Sequence, residues 1–222
     1  MKTDARRTSN RANREDGDVT KARIIEMAGR LFAERGYADA TSKEICEQAN
    51  VSITSVNYHF GSRDGLYLAV LREMHDFFSN PEEMAEMEKS SLPPKEKLTL
   101  IMQHMVAMMF DSDRWQIRLW AREMLSPSNI AIQEMRERGH CGIRVLQHIL
   151  GEITGLEPGS PELKTCFVNV MSPFIFLLLK SKNCASPHRE VFDLDPSEVL
   201  ARMRQFIFAG LDAFVVHPVD GK

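Results

Sequence analysis

Two helix-start signals lie eleven residues apart in the sequence, at Thr41 and at Ser52. Thr41 is followed three residues later by Glu44, and this pair forms a capping box in which each side chain can satisfy a backbone amide of the other residue. Ser52 has the small hydroxyl side chain that is preferred at a helix N-terminus. Asn50 tolerates a positive φ and permits a tight turn between the two signals. The spacing therefore predicts two short helices joined by a tight turn, between about Thr41 and Phe60.

A longer amphipathic helix is predicted ahead of this pair. Its apolar residues follow a 3.6-residue period and form one stripe: Ile24, Ala28, Leu31 and Phe32. Thr20 can cap the start of this helix, and Gly36 stands where a left-handed residue would end it. One long helix that supports two short ones predicts a helix-turn-helix domain over residues 19–65.

The remaining sequence is also predicted to be helical. Prolines and glycines separate amphipathic stretches, and Ser160-Pro161 and Asp195-Pro196 each combine an N-cap residue with a first-turn proline. No sustained period-two run of β-branched residues predicts a strand. We therefore expect an all-α protein of about nine helices, with a C-terminal helical domain over residues 66–222. Residues 1–18 are polar and basic, and we expect them to form a flexible arm.

The third helix has a polar face that is suited to DNA. Val56 and Phe60 lie four residues apart and are expected to anchor the helix inward. Serine and threonine read base edges permissively or contact phosphate, asparagine can pair with adenine, and tyrosine and histidine typically contact phosphate oxygens. The predicted DNA contacts on this helix are Thr54, Ser55, Asn57, Tyr58 and His59.

Arg63 is predicted to add a phosphate contact from the first turn of the next helix. Backbone amides at a helix N-terminus favour an anion, and a guanidinium beside them strengthens that preference. A helical hairpin whose polar face is simply solvated remains the alternative at this point, because polar faces are common on surface helices.

The charge distribution agrees with a DNA contact at one end of the chain. The net charge is −3, but residues 1–63 contain 11 Lys and Arg against 9 Asp and Glu, whereas residues 64–222 contain 17 against 22. Only the contacting face of a DNA-binding protein needs positive charge. A mildly basic front and an acidic body therefore suit a protein that presents one end to phosphate.

Other features of the sequence bear on location and on chemistry. No apolar run reaches the ~18 residues of a membrane span, and we expect a cytoplasmic protein without a membrane partner. The sequence contains no G-x-S-x-G, H-E-x-x-H or phosphate-binding glycine loop, and its seven histidines form no ligand-spaced cluster. We expect no enzymatic activity, no cofactor and no metal site. Four scattered cysteines fit reduced thiols: Cys46, Cys141, Cys166 and Cys184.

The segment from Ala22 to Leu66 resembles the N-terminal domain of the TetR family of bacterial regulators. The resemblance rests on three ordered blocks: Leu31-Phe32-Ala33-Glu34-Arg35-Gly36-Tyr37, then Thr41-Ser42-Lys43-Glu44-Ile45, then Val51-Ser52 with Asn57-Tyr58-His59-Phe60-Gly61-Ser62-Arg63. It implies a homodimer that binds a near-palindromic operator and is released when a small molecule enters the C-terminal domain. By position it implies these DNA contacts: Thr41, Ser42, Thr54, Ser55, Tyr58, His59 and Arg63.

The sequence departs from the common family pattern at three positions. Many members have glycine where this chain has Asn50 and Thr54, and many have tyrosine at the position of Asn57. The fold implied by the resemblance is unaffected, but the base that each side chain reads is not implied by it.

The C-terminal domain is predicted to contain the effector site. The stretch from Trp115 to Pro127 is similar to the C-terminal domain of CecR-like members of the family. Methionines at helical spacing suit an adaptable pocket for an apolar or aromatic ligand, although they equally suit an ordinary core. Arginines one turn apart could bind an anionic group or pair with surface acids. The predicted ligand-binding residues are Met102, His104, Met105, Met109, Arg118, Trp120, Arg122 and Phe174.

Two apolar helices are predicted to form the dimer interface. The helix over Pro161–Lys182 is apolar nearly all round from Phe167 to Leu179, and a helix of that kind must be covered on every side. The helix over Pro196–Val216 has a broad apolar stripe. Together they predict an isologous four-helix arrangement across a two-fold axis.

The sequence therefore predicts a ligand-responsive transcriptional repressor that binds a double-stranded DNA operator. The alternative is a DNA-binding protein that tolerates many sequences and has no effector. That alternative predicts salt-sensitive binding with little base preference.

Overall fold

The computed structural model describes the backbone of residues 3–111, 114–138, 141–178 and 189–215. Within these ranges the protein is all-α, without a strand. The helices are α1 (Thr3–Asp39), α2 (Ser42–Ala49), α3 (Ile53–Phe60), α4 (Arg63–Phe78), α5 (Pro81–Lys89), α6 (Pro94–Phe110), α7 (Trp115–Leu125), α8 (Asn129–Arg138), α9 (Cys141–Thr154), α10 (Pro161–Leu178), a 3-10 helix (Arg189–Asp193) and α11 (Pro196–Asp212).

Most predicted helix boundaries are confirmed because they rest on local capping chemistry. The side chain of Ser160 accepts a hydrogen bond from the Leu163 amide at the start of α10. At the start of α11 the Asp195 carboxylate accepts hydrogen bonds from the hydroxyl and the amide of Ser197, and these bonds lower the pKa of the Asp195 carboxyl. In both cases a proline follows the cap, where its missing amide costs nothing.

Residues pack into two compact units. The first consists of Met1–His75 and Arg118–Glu134, and the second of Asp76–Ile117 and Met135–Lys222. The first unit has the predicted stripe of α1 at its centre, with Ile24, Ala28, Leu31 and Phe32 fully buried or nearly so. It also buries the carboxylate of Glu134, which pairs with Arg72 at 3.0 Å.

The second unit is a helical body whose core comes from α6, α9, α10 and α11. Its largest cluster includes Leu98, Met102, Ile149, Phe174 and Leu211, all buried. A smaller cluster is formed by Met108, Met109, Leu177 and Val199. Lys95 on α6 pairs with Asp212 on α11 at 2.8 Å on the surface of this unit. Methionine contributes to both clusters of the body, through Met102 in the first and through Met108 and Met109 in the second.

The structure differs from two expectations about chain organisation. The described residues contain eleven α-helices instead of about nine. Helix α1 begins at Thr3, so Thr20 lies inside it and does not cap its start. Residues 118–134, which belong to the predicted C-terminal domain, pack in the first unit.

Several predicted features lie outside the described residues. These are the side chains of the basic arm before Asp16, residues 179–182 and Val216 of the predicted dimer helices, and Cys184. Among the residues that are described, no helix combines the length and the apolar character needed to cross a membrane.

Candidate nucleic-acid interface

The capping box predicted at the start of α2 is present. The Thr41 hydroxyl accepts a hydrogen bond from the Glu44 amide at 3.3 Å, and the Glu44 carboxylate accepts bonds from the amide and the hydroxyl of Thr41. Arg35 of α1 donates a further, short bond to the same carboxylate. Bonds from Thr41 and Arg35 hold the pKa of Glu44 below its usual value. The start of α2 is therefore tied both to its own cap and to α1.

The turn between α2 and α3 has the predicted geometry. Asn50 adopts a left-handed conformation with φ 49°, and its amide donates to the carbonyls of Cys46 and Glu47. Ser52 then caps α3 by accepting a hydrogen bond from the Ser55 amide at 3.2 Å. An asparagine is tolerated here because its short side chain makes αL less costly than it is for most residues. The turn holds α3 at a defined angle to α2.

Helix α3 separates into an inner and an outer face as predicted. Val56 is buried and Phe60 is half-buried, so the two anchors point inward. On the opposite face Thr54, Asn57 and Tyr58 are exposed, with 85% of the Tyr58 surface accessible. No hydrogen bond within the described residues ties these three side chains. This polar surface, Thr54 with Asn57 and Tyr58, is called the recognition face below.

The other predicted contacts on α2 and α3 are less exposed. Ser42, Ser55 and His59 are half-buried. The Ser55 hydroxyl lies 3.1 Å from the Ser52 hydroxyl, and the His59 ring packs edge-on against Tyr58 with centroids 5.1 Å apart. The Thr41 hydroxyl is exposed but already forms two bonds to Glu44. These residues surround the recognition face and have local structural partners as well.

Arg63 has a different environment from the one that the sequence predicts. Its guanidinium donates to the carbonyl of Tyr37 through a short bond and to that of Ala40 at 2.7 Å, and it lies 4.3 Å from the centre of the Tyr37 ring. Carbonyls at the end of a helix lack intrahelical partners, and here a side chain supplies them. Arg63 therefore supports the end of α1, and its contact with phosphate stays a prediction.

Helix α7 contributes two further polar residues to the same region. Arg122 donates to the Glu34 carbonyl at 3.0 Å, and a Cβ added to Gly36 would lie 2.8 Å from its Nη1 atom. Glu123 accepts a short bond from the Tyr67 hydroxyl and another from the Ser128 amide at 2.7 Å. Burial and the Glu123 carboxylate both raise the pKa of Tyr67. The polar cluster at the end of α1 is thus formed by Tyr37, Arg63, Tyr67, Arg122 and Glu123.

The structure does not bring the predicted ligand-binding residues together in one unit. Arg118, Trp120 and Arg122 belong to the first unit, where Arg118 is exposed and Arg122 contacts α1. The others belong to the second unit: Met102, Met109 and Phe174 are buried in its core, Met105 is half-buried and His104 is exposed. Arg122 donates to a carbonyl of α1 within the first unit, and the ligand role of these residues stays a prediction. The described residues contain no group of three or more metal-binding side chains.

One residue of α3 was not predicted to have a role. Ile53 is the first residue of the helix and is 49% exposed, although it is apolar. It also borders a shallow groove of about 560 Å³ that α2 and the turn line with Lys43, Cys46, Glu47, Asn50, Val51 and Ser52. The spacing to Asn57, four residues on, could have indicated a shared side of the helix.

A capped, exposed helix that packs on α2, which in turn packs on α1, is the structure of a helix-turn-helix DNA-binding domain. A family model described as "Bacterial regulatory proteins, tetR family" matches residues 24–70. A second, described as "HTH-type transcriptional dual regulator CecR, C-terminal domain", matches residues 94–213, which is more than half of the chain. The chain therefore belongs to the TetR family of HTH-type transcriptional regulators and has a CecR-type C-terminal domain.

Curated relatives agree with this assignment. The HTH-type transcriptional regulator TtgR of Pseudomonas putida is 33% identical over 35% of this chain and 37% of its own length. The dual regulator CecR of Shigella flexneri is 29% identical over 50% and 54%. The negative regulator IcaR of the Staphylococcus aureus biofilm operon is 26% identical over 50% and 57%. The chain thus matches between about a third and three fifths of each relative.

Solved structures match most of the chain at low identity and therefore establish the fold alone. The structure of AibR in complex with isovaleryl coenzyme A and operator DNA has a TM-score of 0.66 and 16% identity, covering 85% of this chain and 98% of that one. The fatty acid degradation regulator FadR of Bacillus halodurans has a TM-score of 0.64 and 15% identity, covering 85% and 98%.

Proposed function

We propose that this TetR-family regulator is a repressor that binds a near-palindromic operator as a homodimer and is released by a small apolar or aromatic effector. The observation that supports the DNA contact is the recognition face: three exposed polar side chains on a helix that Ser52, Val56 and Phe60 hold in place. The printed name of the relative IcaR, a negative regulator, supports repression. On this proposal the protein acts in the cytoplasm and catalyses no reaction.

The proposed roles of the DNA contacts follow from their exposure and chemistry. Thr54 and Asn57 read base edges, since threonine and asparagine can form specific bonds in the major groove. Tyr58 and His59 contact phosphate and set the register, with Thr41, Ser42 and Ser55 beside them. Residues 1–18, 19–65 and 66–222 act respectively as arm, DNA-binding domain, and ligand-binding and dimerisation domain.

The proposed dimer uses α10 and α11. Each of these helices buries one side in the second unit and exposes large apolar side chains on another, with Val168 57% and Phe206 75% exposed. The buried residues of α11 are Val199, Ile207 and Leu211, so Phe206 and the partly exposed Phe214 of the predicted stripe are left for a partner. We expect Phe206→Glu to yield monomers in sedimentation velocity, whereas Gln205→Glu at the neighbouring exposed position leaves the dimer intact.

The proposed effector site lies in the second unit. Half-buried methionines surround its main core cluster, among them Met84, Met105, Met171 and Met203. Flexible thioethers can rearrange around an apolar ligand. The complex of AibR with isovaleryl coenzyme A and operator DNA supports the idea that this fold couples a small-molecule ligand to DNA binding. In the proposed dimer, the distance between the two DNA-binding domains must match the operator. A ligand that binds better to a form of the dimer with a different distance shifts the population away from the DNA-bound form.

Binding to defined DNA tests the proposal. Fluorescence anisotropy would measure affinity for the DNA flanking the gene itself and for duplexes selected from a random library, over a range of salt concentrations. We expect Tyr58→Ala to weaken binding to all duplexes alike, because phosphate contacts carry no sequence information, and Thr54→Ala to alter base preference. Equal losses on every duplex for both variants would contradict the roles. Failure to select any duplex would contradict specific DNA binding.

Release by an effector is tested with the same selected duplex. Apolar and aromatic compounds would be titrated into the preformed complex, and at least one class should release the DNA. A protein that binds every duplex alike, and that no compound releases, would support the sequence-tolerant alternative instead.

A further inference from the structure

Ile53 is an apolar residue beside the polar recognition face. It is the first residue of α3 and 49% of its surface is accessible. A single exposed apolar residue is ordinary on a protein surface, so exposure alone indicates nothing. Its position is the informative feature, because N-terminal residues of a recognition helix contact base edges in the major groove.

The packing of α3 shows that Ile53 is not the core anchor of this helix. Val56 is buried and Phe60 is half-buried, and these two hold α3 inward. Ile53 lies four residues before Asn57, so the two side chains are neighbours on one side of the helix. Asn57 is exposed and has no hydrogen bond within the described residues. Ile53 is also three residues before Val56 and seven before Phe60, so it lies at the edge of the inward stripe, and about half of its surface stays accessible one turn from the Asn57 amide.

The chemistry of the major groove offers one apolar feature, the C5-methyl group of thymine. The partner of thymine, adenine, presents the N6 and N7 atoms that an asparagine can bind in bidentate fashion. A β-branched side chain in a helix has one strongly preferred rotamer, so the methyl groups of Ile53 lose little freedom when they meet a base. An isoleucine and an asparagine on one side of α3 therefore suit an A·T-rich stretch.

We propose that Ile53 is a specificity-determining residue that packs against the C5-methyl group of a thymine in the operator half-site, next to the base that Asn57 contacts. This inference deepens the proposed function and rests on it. Ile53 supplies the apolar part of the readout, and the recognition face supplies the hydrogen bonds. This proposal predicts that one position of each half-site requires thymine. The requirement is for the methyl group of that thymine and not for its base-pairing edge.

Deoxyuridine provides the test, since it differs from thymidine only by that methyl group. A duplex is first selected from a random library by the wild-type protein, and each thymine of one half-site is then replaced in turn by deoxyuridine. We expect one replacement to weaken binding about fourfold, the factor that corresponds to one buried methyl group. Ile53→Ala should lose affinity for the thymine duplex and show no further loss with deoxyuridine at that position.

Two controls separate this contact from a change in folding or in general affinity. Val19→Ala removes an exposed apolar side chain from α1, outside α3, and should retain the full sensitivity to deoxyuridine. Ile53→Val keeps the branched Cβ and should retain part of the sensitivity to deoxyuridine. Thermal unfolding of each variant, followed by circular dichroism, measures whether the fold is intact.

The outcomes distinguish this inference from the proposed function. If a duplex is selected but no thymine is sensitive to loss of its methyl group, or Ile53→Ala stays as sensitive as the wild type, the role of Ile53 is overturned and specific DNA binding stands. If no duplex is selected, the proposed function fails and the inference fails with it. A methyl effect that disappears only in the Ile53 variant supports the contact.

Discussion

Tyr58 and Tyr67 are nine residues apart in the sequence and have opposite environments. Tyr58, on the recognition face, is 85% exposed, whereas Tyr67 is fully buried, packs 4.7 Å from the Phe32 ring centre and donates to Glu123. The same contrast separates Asn57, without an intramolecular bond among the described residues, from Arg63, which binds the carbonyls at the end of α1. Polar residue types that suit DNA therefore occur in two environments: exposed on the recognition face, or bonded to other groups within the fold.

On the proposed function, the side chains best placed to bind DNA are those whose hydrogen-bonding groups the fold has left available. Arg63 and Arg122 are chemically suited to phosphate, but their guanidinium groups bind carbonyls of the α1 end. On the proposed function, the recognition face binds DNA and the polar cluster at the end of α1 supports the fold. Substitutions in the two regions should separate DNA affinity from stability.

The largest expected effect on stability is that of replacing Tyr67, and Tyr58 serves as the comparison. Tyr67→Ala removes a buried ring and leaves the Glu123 carboxylate without one of its two donors, so the free energy of unfolding should fall by about 3–5 kcal/mol. Tyr58→Ala should change it by less than about 0.5 kcal/mol while weakening DNA binding. Urea unfolding followed by circular dichroism measures the first quantity. Similar losses of stability in both variants would remove the distinction.

Arg63 should have the next largest effect. Arg63→Gln loses charged hydrogen bonds to the α1 carbonyls and should lower the free energy of unfolding by about 2 kcal/mol. Arg30→Gln is the matched control, since Arg30 forms only an exposed pair with Glu26 on the same helix and should contribute less than about 1 kcal/mol. If the Arg63 variant kept full stability and lost affinity for every duplex, Arg63 would be a phosphate contact after all.

Gly36 tests the geometry at the end of α1. Its φ of 85° and ψ of 169° lie in a region that is nearly exclusive to glycine, and an added Cβ would approach Arg122. Gly36→Ala should therefore cost about 1–3 kcal/mol. Gly17→Ala, inside α1 and with nothing within 4 Å of the new Cβ, should stabilise the helix by up to about 1 kcal/mol. Thermal unfolding measures both variants, and the melting temperature should fall for Gly36→Ala and not for Gly17→Ala. Shifts of the same sign in the two variants would be inconsistent with this geometry.

The smallest effect concerns the pH dependence of stability. Thr41 and Arg35 lower the pKa of Glu44 below its ordinary 4.5 in the folded protein. The ionised carboxylate therefore stabilises the fold above that pH, and its contribution is lost as the pH falls through the folded pKa. Wild type and Glu44→Gln should differ in unfolding free energy at pH 7 and converge in acid. Glu47→Gln, at an exposed and weakly paired carboxylate, serves as the control. A Glu44→Gln difference that persisted unchanged in acid would argue against this assignment.

The sequence predicted the elements whose causes are local. Capping at Thr41 and Ser52, the αL turn at Asn50 and the inward stripe of α1 depend on residues within one or two turns of each other. The TetR-family blocks then predicted the fold class of the whole chain. The exposed side of α3 could be predicted as well, because two inward anchors determine which side chains face outward.

The roles of the arginines could not be predicted in this way. Arg63 binds carbonyls 23 and 26 residues before it, and Arg122 binds one 88 residues before it. No periodicity encodes such contacts, since they depend on how α4 and α7 pack against α1. For the same reason the sequence did not show that Arg122 contacts α1.

The specificity ratio tests most directly whether the recognition face binds DNA while Arg63 supports the fold. This ratio compares the affinity for the selected duplex with that for a scrambled duplex. It would be measured for Asn57→Ala and Arg63→Gln under conditions where both variants are folded. We expect Asn57→Ala to lower this ratio about tenfold, because one bidentate base contact contributes roughly 1–3 kcal/mol of discrimination, with unchanged stability. Arg63→Gln should lower stability and keep the ratio. An unchanged ratio for Asn57→Ala together with a reduced one for Arg63→Gln would contradict the account.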